Sequence, residues 1–256
     1  MKTILITNDD GYMSKGLTIL TEELSYDYDV FVIAPDRERS AVSMGLTLNS
    51  PLRIKKITDK RYITNGTPVD CVTLGVKLIL KNKPDLIVSG INFGENISED
   101  IFYSGTVAAA FAGHLHSVNS IAVSYVLGKI KSDVSDERLK QASAIAHIII
   151  DDIINRKFED TVYNLNIPVP NNGKVLSTYP DKKKYAPELV EKTDPRGGKY
   201  YWMGTGNPYY SDEFGTDSNA IKEGYISLST LKYDLSCKEK KHGEIINNLS
   251  HITEKK

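Results

Sequence analysis

Two adjacent carboxylates, Asp9 and Asp10, are the residues best suited to chemistry near the start of the chain. They follow a short apolar run, Ile4–Ile6, of the kind that forms a buried β-strand. Neighbouring carboxylates repel each other unless a positive charge neutralises them, and a hard divalent cation with oxygen ligands can do so. An Asx turn before a helix would also explain Asn8-Asp9-Asp10-Gly11. The motif alone leaves both interpretations open.

Two more polar loops follow buried apolar runs. The run Val30–Ala34 leads into a charged loop that ends at the hydroxyl of Ser40, and the run Leu86–Ser89 leads into Asn92 and Asn96. Taken singly, the first loop is typical of a surface salt-bridge cluster and the second of an ordinary βα turn. Because the carboxyl ends of parallel strands meet at one edge of a sheet, the loops are expected to converge. Their oxygen ligands favour Mg²⁺ or Mn²⁺, with Ca²⁺ as an alternative bound ion.

An anion site is predicted where Ser104-Gly105-Thr106 opens an Ala-rich helix. Free backbone N–H groups at a helix N-terminus bind anions, and the Ser104 and Thr106 hydroxyls add donors. We expect the Thr106 hydroxyl to face a phosphate group. Plain N-capping by either residue would explain the same residues and is compatible with phosphate binding.

The elements that must position these loops alternate between strand and helix. Strands are predicted at Ile4–Ile6, Val30–Ala34, Leu86–Ser89, Ile121–Ser124 and Val162–Ile167, and helices at Leu17–Ser25, Pro68–Leu80, Thr106–His116 and Glu137–Asn155. This order predicts an α/β fold with a Rossmann-like, doubly wound, mostly parallel sheet. We assign 1–170 to this catalytic core. We assign 171–256 to a β-rich C-terminal segment of the same domain that takes part in oligomerisation, with strands at Tyr200–Trp202 and Gly224–Leu231 and a helix in the tail from Cys237.

Composition excludes several classes of function. The formal net charge is −1, which argues against a long nucleic acid as partner. Two cysteines without a CxxC pattern and five histidines without metal-ligand spacing argue against a zinc site. The chain has no apolar run of about 20 residues, which a membrane helix needs, and its short first apolar run does not fit a signal peptide, so we expect a cytoplasmic protein. It has no GxGxxG after the first strand, no P-loop and no GxSxG elbow.

Several long motifs occur in an order that resembles the SurE family, the stationary-phase survival proteins that are metal-dependent 5′/3′-nucleotidases. They are TNDDG, APDRERS, GTPVDC, VSGIN and YSGTVAAA, which together cover nearly all of residues 1–125. The resemblance continues more weakly in NLNIP (164–168), DPRGGKYYW (194–202) and GTDSNAIKEGYISLSTLKYDLS (215–236). It implies an enzyme that hydrolyses nucleoside 5′-monophosphates, and by extension 3′-monophosphates, to nucleoside and phosphate.

The resemblance also assigns roles to residues. It implies a metal ion held by Asp9, Asp10, Ser40 and Asn92, and a phosphate-binding group formed by Asn96, Ser104, Gly105 and Thr106. Asp9 and Asp10 would also be the catalytic residues, and whether either acts as base or nucleophile stays open. The chain departs from the family pattern at Ser43-Met44, Ser98-Glu99 and Ser229-Thr230, none of which is a metal ligand.

The implied partners are a small nucleotide substrate and further copies of the chain, in a homodimer or homotetramer with exchanged C-terminal segments. Two other functions would explain some of these residues. An aspartyl-phosphate phosphatase would usually show a DxD spacing, whereas these carboxylates are adjacent. A nucleotide sensor would bind without hydrolysis, and the retained metal ligands argue against it.

Overall fold

The computed structural model describes residues 1–127, 135–182, 188–204, 210–211 and 213–236. The helix predicted from Cys237 onward lies outside these residues. Within them, nine strands form one sheet in the order β3-β4-β2-β1-β5-β6-β7-β11-β8. The strands of this sheet are β1 (Thr3–Thr7), β2 (Asp29–Pro35), β3 (Ile54–Thr58), β4 (Arg61–Thr64), β5 (Leu86–Phe93), β6 (Ser120–Val126), β7 (Val162–Pro168), β8 (Val175–Thr178) and β11 (Ile226–Leu231).

The central six strands, from β4 to β7, are all parallel. At one edge β3 is antiparallel to β4. On the other side β11 is antiparallel to β7, and the edge strand β8 is parallel to β11. The prediction of a doubly wound, mostly parallel sheet is therefore confirmed. The short runs at Ile4–Ile6 and Val162–Ile167 form strands because their residues are buried on both faces, as is usual for parallel strands between two helical layers.

The helices lie in two layers around this sheet. Successive residues of a strand point to opposite faces, so Ile4 and Ile6 join one core cluster and Leu5 joins another. The first core packs against α1 (Lys15–Leu24) and α4 (Asp136–Ile153), and the second against α2 (Pro68–Leu74) and α3 (Gly105–Leu115). None of the described helices is long and apolar enough to cross a membrane.

One predicted helix ends earlier than expected. The sequence predicts a single helix over Pro68–Leu80, begun by a capping box of Thr67 and Asp70. The capping box is present, but the α-helix ends at Leu74 and a π-helical turn continues over Gly75–Ile79. The change comes at Gly75, which lies directly on the sheet, since a Cβ there would be 2.5 Å from Leu5 Cδ2.

The C-terminal third divides between the main sheet and a separate hairpin. Strands β8 and β11 extend the main sheet beyond β7, while β9 (Glu188–Thr193) and β10 (Lys199–Gly204) form an antiparallel pair of their own. A short helix, α5 (Asp217–Lys222), precedes β11. The strands predicted near Tyr200–Trp202 and Gly224–Leu231 are thus present as β10 and β11.

The order of the strands creates a crevice at the carboxyl end of β1. From β1 the chain passes to β2 on one side, and it later returns to β5 on the other. Loops that leave β1 and β5 therefore diverge at this point of the sheet, where ligands bind in open α/β folds.

Candidate active site

Asp9 lies at the N-terminus of helix α3. Its side chain is buried, and the Thr106 hydroxyl donates to Asp9 Oδ1 over 2.6 Å. A Cβ on Gly105 would be 2.9 Å from both Asp9 Cβ and Oδ2, so only a glycine lets the helix approach this closely. Burial raises the pKa of Asp9, although the Thr106 hydroxyl and the N–H groups of Gly105 and Thr106 act in the opposite direction. An acid held in this way is destabilised in its charged form and is suited to a cation.

Among the predicted ligands, the surroundings of Asp10 indicate a bound cation most strongly. Burial, together with the charges of Asp9 and Glu38, raises its pKa to about 7, although the Phe93 N–H acts in the opposite direction. Its Oδ2 is buried without a hydrogen-bond partner among the described residues. Buried acceptors in native proteins normally have a partner. An unpartnered carboxylate oxygen beside other carboxylates therefore fits a bound divalent cation.

The loop after β2 is tied to the loop after β1. The Arg39 N–H donates to the Asp9 carbonyl over 2.7 Å. Gly11, at φ +94°, lies so close that a Cβ would be 2.9 Å from the Arg37 carbonyl carbon. This packing brings the loop of Ser40 to the two aspartates, as the convergence of strand ends predicts.

The Ser40 hydroxyl itself donates to Glu38 Oε1 over 2.7 Å. Sequence reasoning did not single out Glu38, yet its charge acts on Asp10. The only signal for it in the sequence is its position two residues before Ser40 in a charged loop. Glu38 therefore adds negative charge near Asp10.

Asn92 lies one residue before the end of β5, after an irregularity in the strand. Pairing with β6 shifts between Ser89 and Asn92, and Asn92 then stands opposite Ser124. Its amide nitrogen donates to the Gly94 carbonyl over 2.8 Å. That bond occupies the donor end of the amide and leaves Oδ1 as the atom suited to a cation.

The residues predicted to bind phosphate at the start of α3 lie together at the helix N-terminus, with one difference from the expectation. Ser104 is the N-cap, and its Oγ accepts from the Val107 N–H over 3.0 Å. Ser104, Gly105 and Thr106 are all buried. The Thr106 hydroxyl was expected to face a phosphate, but it is bound to Asp9 because the helix packs directly on that carboxylate. Thr106 thus links the predicted metal ligands to the helix N-terminus.

Asn96 is buried in the loop between β5 and α3, held by side chains that sequence reasoning missed. Its N–H donates to Asn166 Oδ1 over 2.8 Å, and its amide nitrogen donates to Ser124 Oγ over 2.8 Å. Its carbonyl accepts from Asn164 over 2.8 Å and from Asn166 over 3.1 Å. The sequence feature that could have revealed these partners is the pair Asn164 and Asn166 inside a strand that is otherwise mostly apolar.

A second set of hydrogen bonds holds the same loop at Ser98. Ser98 has φ +55°, and its N–H donates to Asp217 Oδ2 over 2.8 Å. Asp217, on α5, is fully buried and also accepts from the Asp181 and Ser218 N–H groups. The C-terminal segment therefore supports the loop between β5 and α3 directly.

The described histidines contact other residues, not the predicted metal ligands. His114 pairs with Asp160, His147 with Glu23, and His116 lies beside Thr73, while His242 and His251 fall outside the described residues. Within the described part of the chain, no three His, Cys, Asp or Glu side chains are grouped to hold a metal ion. A cation at the end of β1 would accordingly rely on neutral oxygens, those of Ser40 and Asn92, beside two carboxylates.

Comparison with known proteins gives consistent matches along the chain. The profile of the family described as survival protein SurE matches residues 4–187. The 5′-nucleotidase SurE of Pelobacter propionicus is 41% identical over 237 residues, which cover 91% of this chain and 94% of the relative. The protein of the same name from Thermoanaerobacter sp. is 39% identical over 240 residues, covering 91% and 93%. The crystal structure of the SurE protein from Aquifex aeolicus superposes with a TM-score of 0.80 at 35% identity, covering 97% and 99% of the two chains.

Proposed function

The chain belongs to the SurE family, and from this we propose that it hydrolyses nucleoside 5′-monophosphates to nucleoside and phosphate with the help of a divalent metal ion. Its relatives are named 5′-nucleotidases. The observation that carries the proposal is the Asp9–Asp10 pair, packed against the N-terminus of α3, with a buried and unpartnered oxygen on Asp10. Nucleoside 3′-monophosphates remain an alternative substrate class.

The residues at the end of β1 fit a hard cation. Asp9, Asp10, Ser40 and Asn92 would hold it, through two carboxylates, a hydroxyl and an amide oxygen, a donor set that suits Mg²⁺ or Mn²⁺, with Ca²⁺ as an alternative. When bound, such a cation supplies Lewis-acid chemistry, because it neutralises charge on phosphate oxygens and favours deprotonation of water.

The phosphate would lie at the N-terminus of α3. The positive end of the helix dipole attracts an anion there, although the Gly105 and Thr106 N–H groups act on Asp9 and the Val107 N–H is donated to Ser104 Oγ. Ser104 Oγ accepts from Val107, so its own hydroxyl hydrogen can be donated to a phosphate oxygen. Donors fixed before the reaction stabilise charge that moves onto those oxygens. Asn96, anchored in the neighbouring loop, would act from the same side.

Asp9 and Asp10 have different surroundings and so different freedom to take part in proton transfer. Asp9 Oδ1 is engaged by Thr106, whereas Asp10 Oδ2 is unpartnered among the described residues. Either residue could serve as base or nucleophile. Trapping of a phosphorylated aspartate would identify the nucleophilic route, and its absence during turnover would leave attack by water.

A screen of phosphate release tests the proposed function. Nucleoside 5′- and 3′-monophosphates with each base would be tested with Mg²⁺ and with Mn²⁺. We expect release from 5′-monophosphates. Tight nucleotide binding without phosphate release in any combination would contradict the proposal and favour a sensor.

We further propose that the protein assembles as a homodimer or homotetramer through its C-terminal segment. Support comes from the β9–β10 pair, whose apolar side chains are unusually open to solvent: Leu189 is 66% exposed, Trp202 64% and Met203 78%. Large apolar side chains gathered on an exposed strand pair are typical of an interaction surface. A monomer in light scattering at micromolar concentration would contradict this assembly.

A cytoplasmic location is proposed as well. The buried thiol of Cys71 is free, as is usual for proteins of reducing compartments. Recovery of the native protein from an extracytoplasmic fraction would contradict the location.

A further inference from the structure

Two asparagines lie inside β7, the strand that borders β6. Asn164 and Asn166 are fully buried, and their neighbours Val162, Leu165 and Ile167 are apolar. Because residues two apart in a strand point to the same face, both amides project toward one side of the sheet. Burying an amide is unfavourable unless hydrogen bonds compensate for the lost contact with water. Both side chains are therefore expected to have hydrogen-bond partners inside the protein.

Those partners are the backbone groups of a single loop residue, Asn96. Asn166 holds both of them, accepting the Asn96 N–H at 2.8 Å and donating to its carbonyl at 3.1 Å. Asn164 donates to the same carbonyl at 2.8 Å. Both backbone groups of Asn96 are thus fixed by side chains that belong to the sheet rather than to the loop.

This clamp connects the two halves of the candidate active site. In the register of the sheet, Asn92 stands opposite Ser124, and Ser124 stands opposite Asn166. Ser124 also accepts the Asn96 amide. One cross-strand row therefore carries a predicted metal ligand at one end and the clamp on a predicted phosphate-binding residue at the other.

We propose that Asn166, assisted by Asn164, is a positioning residue for phosphoryl hydrolysis. It sets Asn96 at a fixed place relative to the ligands at the ends of β1 and β5. The inference rests on the proposed function, since it takes Asn96 to face the phosphate. Loss of the clamp would let the loop residue shift, and a displacement of about 1 Å near a reacting group lowers the rate by about 100-fold.

A matched control exists at the opposite end of the sheet. Asn119, just before β6, is 6% exposed. It also clamps a loop with three bonds, accepting from the Glu159 N–H and donating to the Arg156 and Lys157 carbonyls. Asn119→Ala removes three partly buried hydrogen bonds and Asn166→Ala removes two buried ones. The two variants are therefore comparable in hydrogen bonds lost, but only Asn166 lies at the carboxyl ends of the strands.

The experiment compares Asn166→Ala, Asn164→Ala and Asn119→Ala in the full chain. Thermal unfolding, the Kd for Mn²⁺, the Ki of inorganic phosphate and kcat/KM for nucleoside 5′-monophosphates would be measured for each. We expect similar losses of Tm for Asn119→Ala and Asn166→Ala. Unlike Asn119→Ala, Asn166→Ala should lower kcat/KM by about 10- to 100-fold and weaken phosphate inhibition, with the Mn²⁺ Kd within about twofold of wild type.

Asn164→Ala is the milder variant, because the Asn96 N–H stays held, and it should give a smaller loss of the same kind. It keeps the test decisive if Asn166→Ala does not fold. Kinetics of either variant that match Asn119→Ala would overturn the inference.

Asn96→Ala, measured alongside, separates the possible failures. An active wild type whose Asn96→Ala variant is impaired, beside an unimpaired Asn166→Ala variant, overturns the inference alone. An unimpaired Asn96→Ala variant also overturns it, since there would be nothing to position. A wild type that releases no phosphate from any nucleotide overturns the proposed function and this inference together.

Discussion

Neutralising Asp10 should stabilise the metal-free protein, which is the reverse of what most buried substitutions do. Burial and the neighbouring charges of Asp9 and Glu38 raise the pKa of Asp10 from 3.8 to about 7. The folded state thus binds the Asp10 proton more tightly than the unfolded chain does. The resulting loss of stability is absent below about pH 4, grows as the pH rises towards 7 and is complete above it. Asp10→Asn removes the charge and keeps an oxygen that can accept the Phe93 N–H.

The size of the effect follows from the shift in pKa. A rise from 3.8 to about 7 corresponds to about 4 kcal/mol at pH 8. Asp10 retains some solvent contact, and solvent screening reduces this to about 2 kcal/mol. For a chain of this size, about 2 kcal/mol raises Tm by about 4–8 °C. At pH 5 the gain should fall to less than half, because Asp10 is then largely protonated in the folded state.

Thermal unfolding in chelator and in excess Mn²⁺ checks this reasoning at both pH values. Bound metal stabilises only the state that binds it, so Mn²⁺ should raise Tm more for wild type than for Asp10→Asn. Asp36→Asn is the control, because Asp36 is exposed in the loop after β2 and pairs with Arg37. An Asp10→Asn protein no more stable than wild type at pH 8 in chelator would refute the reasoning and favour a simple Asx turn.

Three further substitutions probe the contacts around Asp9 and the loop before α3. Thr106→Val removes a hydrogen bond to a carboxylate, worth about 1.5–3 kcal/mol. It should weaken both Mn²⁺ binding and kcat/KM by at least about tenfold, and a Kd for Mn²⁺ equal to that of wild type would contradict this. Gly105→Ala places a methyl group 2.9 Å from Asp9 Cβ and should abolish high-affinity metal binding in calorimetric titration, whereas unchanged affinity would mean that Asp9 is not a ligand. Ser98→Gly relieves a left-handed conformation, worth about 1 kcal/mol, and should raise Tm by about 2–4 °C; a lower Tm would show that the Ser98 hydroxyl contact with Asp217 is the larger effect.

The parallel core could be predicted because its strands are buried on both faces. Runs such as Ile4–Ile6 and Val162–Ile167 have no other simple explanation than strands between helical layers. Strands β3, β4, β8 and β9 were not predicted. In β3, Lys55, Lys56 and Thr58 are exposed, so no apolar run marks it. Edge strands of this kind are defined by pairing with a neighbour rather than by their own residues.

For the candidate site, residue types could be predicted but their partners could not. The convergence of loops at Asp9, Ser40 and Asn92 follows from the parallel topology. The bond from Thr106 to Asp9 joins residues 97 positions apart, and that from Asn96 to Asn166 joins residues 70 apart. Such contacts arise from the way α3 and β7 pack on the sheet. No local pattern shows that a hydroxyl at a helix N-terminus points to a carboxylate rather than to a ligand.

Release of phosphate by metal-stripped and reloaded protein tests the central claim most directly. Wild type and Asp9→Asn would be freed of metal by exhaustive chelation, then titrated with Mg²⁺ or Mn²⁺ in the presence of a nucleoside 5′-monophosphate. We predict no release from the stripped protein, full recovery of wild type on reloading, and partial recovery of Asp9→Asn at much higher metal concentration. Undiminished release from the stripped wild type, or equal metal requirements for both proteins, would contradict the account.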